Sequence, residues 1–567
     1  AIIFVSSVDD LFIDAFYWLR RAWRGLTVYG RHRPMDATQL LGLDEKPLAI
    51  MVPAWQEHGV IGAMAQLAAR TLDYENYHIF IGTYPNDPQT RAEVEQVRAR
   101  FPNVHSVVCA RPGPTSKADC LNNVLEAIWQ FEQRSGVAFA GFILHDAEDV
   151  LCPLELRLFN YLADRKDLIQ LPVYPLERPL LELTSGHYLD EFAEMHAKDI
   201  VVREALVGQV PSAGVGTCFS RRAITALREL GDGRAFDTQS LTEDYDIGFR
   251  LKELGLKEVF VRFPTYLPGE PPLPRRAGRS AREASVISVR EYFPDSLQAA
   301  VRQKSRWITG IVIQGYRTLR WSRSVPMNYF LWRDRKGVIT NFASFLGSLL
   351  ALQLIAVWLY QHLVPDSYRF LSIFEGARWF ALLLTANFAL MLNRIAQRVF
   401  FVSSYYGLRQ GLMAVPRLFW GNLVNFLANW RAVAQALRAK DIRRMAWAKT
   451  DHDFPSLGEA AQPLQSLEQI LRDQGALTPA ALRRAQQHPI EGLDLGRTLV
   501  CCGEISSHQL AAAIAQQAGV PCEPLERAIP DQLAAQVPAA IALHYQVVPL
   551  REEGSVLVLG CESAIDP

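Results

Sequence analysis

The sequence predicts an α/β catalytic domain followed by membrane helices and a helical C-terminal domain. From Leu48 to about Pro175, short β-rich segments alternate with helical patterns. Two long apolar segments follow near the middle of the chain, and beyond Asp451 the composition shifts to Ala, Leu and Gln. Alternating strands and helices are typical of a parallel sheet covered by helices. Ligands of such sheets lie at the carboxyl ends of the strands.

The length of 567 residues is enough for about two or three domains. We expect four regions: the end of a membrane helix with an amphipathic segment at 1–40, a Rossmann-like catalytic domain at 41–330, transmembrane and interfacial helices at 331–450, and a soluble regulatory domain at 451–567. Lys plus Arg and Asp plus Glu number 59 each, which excludes a polyelectrolyte that binds nucleic acid. The eight cysteines lack zinc-site spacing and indicate a reducing compartment.

The first half of the chain contains five predicted strands, at 48–54, 77–84, 104–110, 142–145 and 168–174. A Pro- and Arg-rich stretch at 266–279 predicts a mobile loop, and 296–315 predicts a helix.

Two membrane spans are predicted at 338–364 and 379–392, and the second is short enough that a buried core helix is the alternative. Basic residues flank the pair, whereas the loop between them carries Asp366 and Glu375, so both flanks face the cytoplasm. These flanking residues are Arg333, Arg335, Lys336, Arg394 and Arg398. The segment 400–429, interrupted at Arg409, Pro416 and Arg417, predicts interfacial helices.

An acidic turn, His145-Asp146-Ala147-Glu148-Asp149, directly follows the fourth predicted strand. Asp146 and Glu148 stand at alternate positions and could both reach one Mg²⁺ or Mn²⁺, cations that prefer oxygen ligands. The alternative is a solvated acidic turn.

A second acidic motif, Thr242-Glu243-Asp244, begins a predicted helix. Asp244 is the candidate general base for an acceptor hydroxyl. The alternative is structural, because Thr242 is a good N-cap and acidic residues in a first turn favour the helix dipole.

A third motif, Gln303-Lys304-Ser305-Arg306-Trp307, lies on the helix that precedes the membrane spans. Helical spacing puts Gln303, Arg306 and Trp307 on one side, where Arg306 can hold a diphosphate and Trp307 can support a sugar ring. The alternative is an interfacial aromatic residue beside a snorkelling base.

These three motifs, in this order and ahead of membrane spans, resemble the family 2 glycosyltransferases, inverting enzymes with the GT-A fold. The segments Val52-Pro53-Ala54-Trp55-Gln56-Glu57, Lys117-Ala118-Asp119-Cys120-Leu121-Asn122 and 214–220 are also similar to that family. The resemblance implies a UDP-sugar donor held by Pro53, Glu57, Asp87, Lys117, Asp119, Asn122 and Asp146. It implies an Mg²⁺ or Mn²⁺ ion on Asp146 and Glu148, Asp244 as base, and an acceptor site of Glu243, Gln303, Arg306 and Trp307. The turn at 82–87 departs from the family because it lacks paired aspartates, and Asp87 is the proposed substitute.

The whole chain also resembles a narrower group of enterobacterial inner-membrane proteins within this family. That likeness implies a surface polysaccharide that is exported through an outer-membrane partner and exploited by a phage as its receptor. It also implies a UDP-N-acetylhexosamine donor, with UDP-N-acetylmannosamine as one candidate.

The C-terminal region resembles the cyclic di-GMP motif of MshEN domains. The residues that carry this likeness are Leu495, Gly496, Arg497, Leu499, Gly503, Leu510, Ile514 and Gln517. Small glycines would let the backbone approach a flat ligand, and leucines would pack on its guanine faces. The family usually has Arg where this chain has Asp494, and an earlier copy, Leu467, Leu471, Gly475 and Leu482, has Glu468 where Gly is expected. The alternative is a helical bundle with core leucines and capping glycines.

Three functions remain open on the sequence. The leading one is a processive synthase, regulated by cyclic di-GMP through the loop before Ser280 or through the interfacial helices. A second is the transfer of a single sugar to a polyprenyl phosphate. A third is a noncatalytic scaffold for phage or secretion components.

Overall fold

The computed structural model describes most of the chain. The described residues are 1–32, 35, 37–264, 286–319, 321–364, 368, 378–438 and 454, then 467, 470–471, 474–478, 481, 484–485, 495–518, 522–523, 529–553 and 556–561. The chain divides into two compact units, Ala1–Phe454 and Pro455–Pro567. The predicted loop at 266–279 and the acidic residues Asp366 and Glu375 lie outside the described residues.

A seven-stranded mixed sheet organises the first unit. Its strands, and those of a small second sheet, are β1 (Leu48–Pro53), β2 (Tyr77–Thr83), β3 (Val104–Val108), β4 (Gly141–Leu144), β5 (Leu168–Gln170), β6 (Val173–Pro175), β7 (Thr217–Ser220), β8 (Glu258–Phe260) and β9 (Val289–Glu291). The large sheet has the order β3-β2-β1-β4-β7-β5-β8. β1 to β5 run parallel to one another as predicted, but the sheet is mixed because β7, which was not among the predicted strands, runs antiparallel to β4 and β5. Thr217 pairs with Leu144, so the chain enters β7 at the edge where β4 ends.

The strand predicted at 168–174 is two strands. Pro172 has no backbone N–H and cannot continue a ladder. β5 stays in the large sheet beside β8, whereas β6 pairs with β9. The backbone N–H of Val150 donates to Arg290 at 2.7 Å, so β9 lies against the acidic turn.

The first unit contains sixteen α-helices among its described residues, and some of them pack on the two faces of the large sheet. They are α1 (Ile2–Arg24), α2 (Thr38–Leu41), α3 (Ile61–Thr71), α4 (Pro88–Arg98), α5 (Lys117–Ser135), α6 (Glu155–Leu162), α7 (Leu183–Glu194), α8 (Ile200–Val207), α9 (Arg221–Leu230), α10 (Glu243–Glu253), α11 (Leu297–Ile308), α12 (Gly315–Thr318), α13 (Val325–Arg335), α14 (Gly337–Leu363), α15 (Arg378–Tyr406) and α16 (Leu408–Arg438). Alternate residues of β1 enter opposite cores, Ile50 and Val52 on one face and Ala49 and Met51 on the other. This burial on both faces explains why β1 reads as a continuous apolar run.

Two helices among the described residues, α14 and α15, are long and apolar enough to cross a membrane, and almost none of their most apolar stretch is buried. The second predicted span ends too early, because α15 continues to Tyr406. The segment 400–429 is interrupted at Gly407, where α15 ends and φ is +85°, and α16 then continues through Arg409, Pro416 and Arg417. Arg417 is buried and donates to Asp190 at 2.8 and 3.0 Å, so its charge is neutralised by α7.

The second unit contains helices α17 (Leu495–Cys501), α18 (Ser507–Ala518), α19 (Asp531–Ala534) and α20 (Ala539–Tyr545), and an antiparallel hairpin of β10 (Val547–Glu553) and β11 (Val556–Cys561). The hairpin was not predicted. The predicted internal repeat is visible as matching turns: Leu471 and Leu499 are buried in one core, and Gly475 and Gly503 follow each at the same spacing with φ of +68° and +72°. Leu482 and Glu468 of the first copy, and Asp494, lie outside the described residues.

Candidate active site

The carboxyl ends of β1 and β4 open into a cavity of about 580 Å³. This is the edge at which α/β sheets bind ligands. The predicted site residues that line it are Pro53, Glu57, Lys117, Asp146, Glu148, Glu243, Asp244, Gln303, Arg306 and Trp307. Three motifs that are far apart in the sequence therefore meet around one cavity.

A buried histidine holds the acidic turn. His145 Nδ1 lies 2.8 Å from Asp149 and its Nε2 lies 2.9 Å from Glu155. Burial opposes a charge on this ring, but the carboxylates of Glu155 and Asp149 raise the pKa of His145 to about 10. The backbone N–H of Asp146 donates to Asp149 at 3.0 Å. The turn is thus fixed from inside and presents Asp146 and Glu148 to the cavity.

Lys117 brings a positive charge to these carboxylates. It begins α5, and its Nζ lies 2.6 Å from Asp146 Oδ1. Burial alone would lower the pKa of Lys117, but Asp146, Glu243 and Asp244 raise it above its ordinary value. Lys117 therefore stays charged at the wall of the cavity.

The N-terminus of α10 presents Glu243 and Asp244 to the same space. Thr242 occupies the N-cap position, yet its side chain makes no capping hydrogen bond, so capping does not explain this motif. Burial raises the pKa of the Asp244 carboxyl, while the charge of Lys117 opposes that rise. Burial and the neighbouring Asp244 charge likewise raise the pKa of Glu243.

The loop before β7 touches the candidate base directly. Gly214 has a φ of +78°, and a Cβ atom at this position would overlap the carboxylate of Asp244. Only glycine fits both the backbone conformation and this contact. From the sequence, the segment 214–220 was identified only as similar to the family. The contact between Gly214 and Asp244 could not be predicted, because it depends on how the loop folds.

The third motif forms the opposite wall. Gln303, Arg306 and Trp307 of α11 line the cavity together, as their helical spacing predicted. The ring of Trp307 packs against Tyr188 and Phe192, with centroids 6.1 and 6.4 Å apart. This packing fixes the indole as part of a rigid apolar wall.

Lys304 of the same motif has a structural role and does not line the cavity. Its buried Nζ lies 2.9 Å from His187 Nε2, donates to Asn425 Oδ1 at 2.9 Å, and contacts the carboxylate of Glu191. These contacts join α11 to α7 and α16.

Three residues predicted to bind the nucleotide sugar, Asp87, Asp119 and Asn122, do not line the cavity. Asn122 exchanges two hydrogen bonds with the backbone of Phe236, at 2.8 and 3.1 Å. Asp119 pairs with Arg111 at 2.6 Å. At 3.6 residues per turn, both positions lie on the far side of α5 from Lys117, and the helix therefore turns them away from the cavity.

Asp87 also has structural partners. Its carboxylate caps α4 at the backbone N–H of Thr90 and accepts from the backbone N–H of Gln56 at 2.6 Å. Asp87 thereby orders the turn after β1 and is not itself part of the cavity wall.

Sequence reasoning missed a set of charged wall residues that come from distant elements. They are Glu191, Glu194, Asp199, Arg203, Glu291, Arg333, Asp334, Arg394 and Arg398. The arginines flanking the apolar segments were assigned to membrane topology only. The acidic residues Asp190, Glu191 and Glu194 of α7 were the sequence signal that could have indicated a charged wall.

The chain is similar to known proteins over much of its length. The model of glycosyl transferase family group 2 matches residues 141–360. The bacteriophage adsorption protein B of Escherichia coli K12 is 60% identical over all 567 residues, which is 100% of this chain and 76% of the relative. The chain belongs to the bacteriophage adsorption protein B family. The bacteriophage N4 adsorption protein B of Escherichia coli O157:H7 matches with the same identity and coverage.

As a member of this family, the chain is a family 2 glycosyltransferase with a GT-A-like fold, as its motifs predicted. Among solved structures it is similar to the mannosyltransferase PcManGT from Pyrobaculum calidifontis in complex with GDP-Man and Mn²⁺, with 14% identity, a TM-score of 0.43, and coverage of 77% of this chain and 99% of the other. Residues 1–349 of S. aureus TarS match with 11% identity, a TM-score of 0.32, and coverage of 69% and 91%. Both TM-scores are below 0.5, so neither likeness indicates a donor or a metal for this chain.

The carboxylate oxygens at this site fit a divalent cation that the substrate also helps to bind. Asp146 and Glu148 offer carboxylate oxygens, the ligands that Mg²⁺ and Mn²⁺ prefer. Among the described residues no three His, Cys, Asp or Glu side chains could hold an ion by themselves. One or two carboxylates completed by substrate phosphates is the usual arrangement for Mg²⁺.

The residues predicted to bind cyclic di-GMP have mixed surroundings. Gly496 and Leu499 are buried, Leu495 and Leu510 pack against the same helical core, and Arg497 is exposed. Gly503 lies in the left-handed turn that ends α17. Gln517 lies in α18.

Proposed function

We propose that the chain is an inverting inner-membrane glycosyltransferase that uses a UDP-sugar to build and export a surface polysaccharide. One observation carries the proposal. A single cavity is lined by the candidate base Asp244, by the cations Lys117 and Arg306, and by Asp146, one of the two carboxylates proposed to bind the metal.

In the proposed reaction, Asp244 accepts the proton of an acceptor hydroxyl as that oxygen attacks the anomeric carbon. The bond from this carbon to the diphosphate oxygen breaks on the opposite side, which inverts the configuration. Lys117 and Arg306 balance the charge that develops on the departing diphosphate. A divalent cation on Asp146 and Glu148 would supply further neutralisation of that diphosphate.

We propose UDP-N-acetylhexosamine as the donor, and UDP-N-acetylmannosamine as the first sugar to test. The product would pass to an outer-membrane export partner and serve phages as a receptor. Both Escherichia coli relatives are phage adsorption proteins by name, which supports the receptor role.

We place the protein in the inner membrane as a multi-pass protein with its catalytic and C-terminal units in the cytoplasm. Exposed apolar side chains cover α14 and α15. Arg333 and Lys336 precede α14, and basic residues near the start of a span favour the cytoplasmic side. Ile3 of α1 lies beside Gly347, within α14, which supports entry of the N-terminal part of α1 into the bilayer.

The test is UDP release by the purified full chain in lipid nanodiscs, with Mg²⁺ or Mn²⁺ and a panel of UDP-sugars. One sugar should give turnover that Asp244→Asn abolishes and that EDTA removes. Asp232→Asn, the same change in an exposed turn, should retain full activity. Absence of turnover with every sugar, with and without added polyprenyl phosphate, would contradict the proposed enzyme.

Activation by cyclic di-GMP is a separate proposal that rests on the MshEN-like residues. The exposed Arg497 beside the buried Gly496 offers a guanidinium for a phosphate of the dinucleotide. Equilibrium dialysis with labelled cyclic di-GMP should show binding that Arg497→Ala weakens and Arg551→Ala, an exposed arginine of the same unit, does not. Equal binding by all three proteins would refute the assignment.

A further inference from the structure

The segment 212–217, which we call the base loop, connects the cavity wall to β7 and lies beside the candidate base. Gly214 lies directly against Asp244 Oδ2, because a Cβ atom on Gly214 would overlap that oxygen. The other carboxylate oxygen, Oδ1, accepts from the backbone N–H of Tyr245 at 2.8 Å. The direction of the Asp244 carboxylate is therefore set by its own helix on one side and by the base loop on the other.

The backbone of the base loop has an unusual amount of freedom. Gly214 and Gly216 both have left-handed φ values, of +78° and +58°. Glycine loses more conformational entropy on folding than any other residue, so a segment with two glycines is costly to fix. The conformation that places Gly214 at Asp244 therefore depends on contacts made to the loop from outside.

Gln170, the last residue of β5, makes such contacts. Its side chain is completely buried and does not line the cavity. The amide Nε2 donates to the carbonyl oxygens of Val215 and Gly216, at 2.9 and 3.3 Å. The amide Oε1 accepts from the backbone N–H of Ala213 at 2.9 Å. One side chain therefore holds the backbone on both sides of Gly214.

Two hydroxyl groups extend this contact to Gly214 itself. Gln170 Oε1 carries no proton, so Thr217 Oγ1 donates to it at 2.7 Å. The Thr217 oxygen then accepts from Ser212 Oγ at 2.9 Å, and the Ser212 oxygen accepts from the backbone N–H of Gly214 at 3.2 Å. Ser212 and Thr217 are both buried. Away from water, these groups favour the one arrangement in which each of them is paired.

We infer that Gln170 is a positioning residue for glycosyl transfer: its amide fixes the base loop, and the loop directs the carboxylate of Asp244 towards the acceptor hydroxyl. Gln170 does not reach the cavity and acts only through the loop. The backbone pairing of β5 with β7 and β8 uses no atom of this amide, so the sheet itself does not require it. The inference rests on the proposed role of Asp244 as the base.

Gln170→Met tests the inference, because it keeps the length of the side chain and removes all of its hydrogen bonds. The base loop should then open more often, so hydrogen exchange of the segment 210–217 should become faster in the full chain in nanodiscs. The kcat for UDP release should fall about tenfold or more, since the carboxylate loses its fixed direction. The KM for the donor should stay within about twofold, because the residues proposed to bind the donor lie outside the loop.

The pH profile separates a positioning role from a loss of folded protein. The ascending limb of kcat reports Asp244. The charged groups that face this carboxylate, which the variant leaves in place, are Lys117, Asp146, Glu243 and Arg306. Burial raises the pKa of Asp244, and an open loop admits water beside it, so the limb should move to lower pH in Gln170→Met. A smaller folded fraction would lower kcat equally at every pH and would leave the limb in place.

Gln410→Met is the matched control. Gln410 is also buried and accepts from Arg417 at 2.6 Å, but it lies in α16 outside the cavity wall. This variant should lower the Tm and leave the pH limb in place. Thr217→Val is the second variant if Gln170→Met lowers the yield of folded protein, since it removes one hydroxyl group at nearly constant size. Thr217→Ser, which keeps that hydroxyl group, should restore kcat to within about twofold.

An unchanged exchange rate at 210–217 in Gln170→Met would overturn the inference. An unmoved pH limb in both Gln170→Met and Thr217→Val, or the same shift of the limb in Gln410→Met, would also overturn it. Absence of turnover in the unmodified protein is a different result, and it would contradict the proposed function.

Discussion

Asp244 acquires its chemical character from three neighbours that are remote in sequence. Gly214 brings backbone against its carboxylate, Lys117 supplies a positive charge, and Asp146 shares that charge at 2.6 Å. Burial alone would favour the protonated acid. The lysine therefore helps to keep Asp244 able to accept a proton.

Replacing Gly214 by Ala should abolish most activity, because the new methyl group would displace the Asp244 carboxylate. We expect kcat for UDP release to fall by about 10²-fold, as for misplaced catalytic groups. Gly136→Ala is the control: Gly136 has a φ of +74°, close to the +78° of Gly214, but open space around its Cβ position. If both variants lose activity equally, backbone strain and not the contact with Asp244 is responsible.

The pH dependence of kcat should have an ascending limb that reports Asp244. Only the deprotonated carboxylate accepts a proton, and burial raises its pKa, so kcat should rise with pH through a value above the ordinary carboxylate range. Lys117→Met removes the opposing charge and should shift this limb to higher pH. Lys257→Met, an exposed lysine, should leave the profile in place. A shift to lower pH in Lys117→Met would contradict this role.

At the scale of elements, α7 and α16 pack at unusually close range through two glycines. A Cβ at Gly186 would overlap the Arg417 side chain, and a Cβ at Gly421 would overlap the ring of His187. The close approach lets Arg417 reach Asp190, an ion pair buried at both ends. The helix that carries Glu191 and Glu194 is thereby fixed to the helices of the membrane region.

Gly421→Ala should consequently destabilise the protein by about 1–3 kcal/mol through overpacking. Differential scanning fluorimetry in nanodiscs should show a lower Tm. Gly337→Ala in α14 is the control, since the nearest atom to its Cβ position is 3.7 Å away and Ala favours a helix over Gly. A Tm for Gly421→Ala at or above that of the unmodified protein would show that the α7 and α16 contact relaxes freely.

On the scale of the first unit, carboxylates of α1 join the catalytic domain to the membrane helices. Asp9 contacts Arg333, Lys336 and the hydroxyl of Tyr329, and Asp14 contacts Lys198 and accepts from Asn393 at 2.7 Å. α1 therefore binds α13, the segment 195–199 and α15 through polar and charged side chains, and Arg394 of α15 adds an ion pair with Asp10 at 3.7 Å.

Asp9→Ala should lower stability by about 3–5 kcal/mol, since it leaves Arg333 and Lys336 with fewer buried partners. The measurement is the Tm in nanodiscs at low and high salt. Glu229→Ala removes the same charge from an exposed position of α9 and should change the Tm little. Equal shifts for the two variants would show that the Asp9 pairs contribute nothing beyond net charge.

Local patterns predicted the elements that depend on neighbouring residues. The strands β1 to β5, the helices α10 and α11, and the two apolar helices followed from local patterns, and the three motifs indicated their chemistry before the fold was known. Local patterns did not predict features that a single residue or a distant partner decides. Pro172 divides the strand predicted at 168–174, and β7 joins the sheet as an antiparallel strand between β4 and β5. Asp190 pairs with Arg417 inside α16.

By itself, the amino-acid sequence determined the enzyme family and located the candidate base, the acidic turn and the motif on α11, because those residues stand in compact motifs. Only the tertiary structure separated Lys117, which faces the cavity, from Asp119 and Asn122, which bind elsewhere. It alone brought together the charged residues of the cavity wall, which span more than two hundred positions from Glu191 to Arg398. Side chains so far apart in the chain meet only through helix packing, and helix packing leaves no local pattern from which their contact could be predicted.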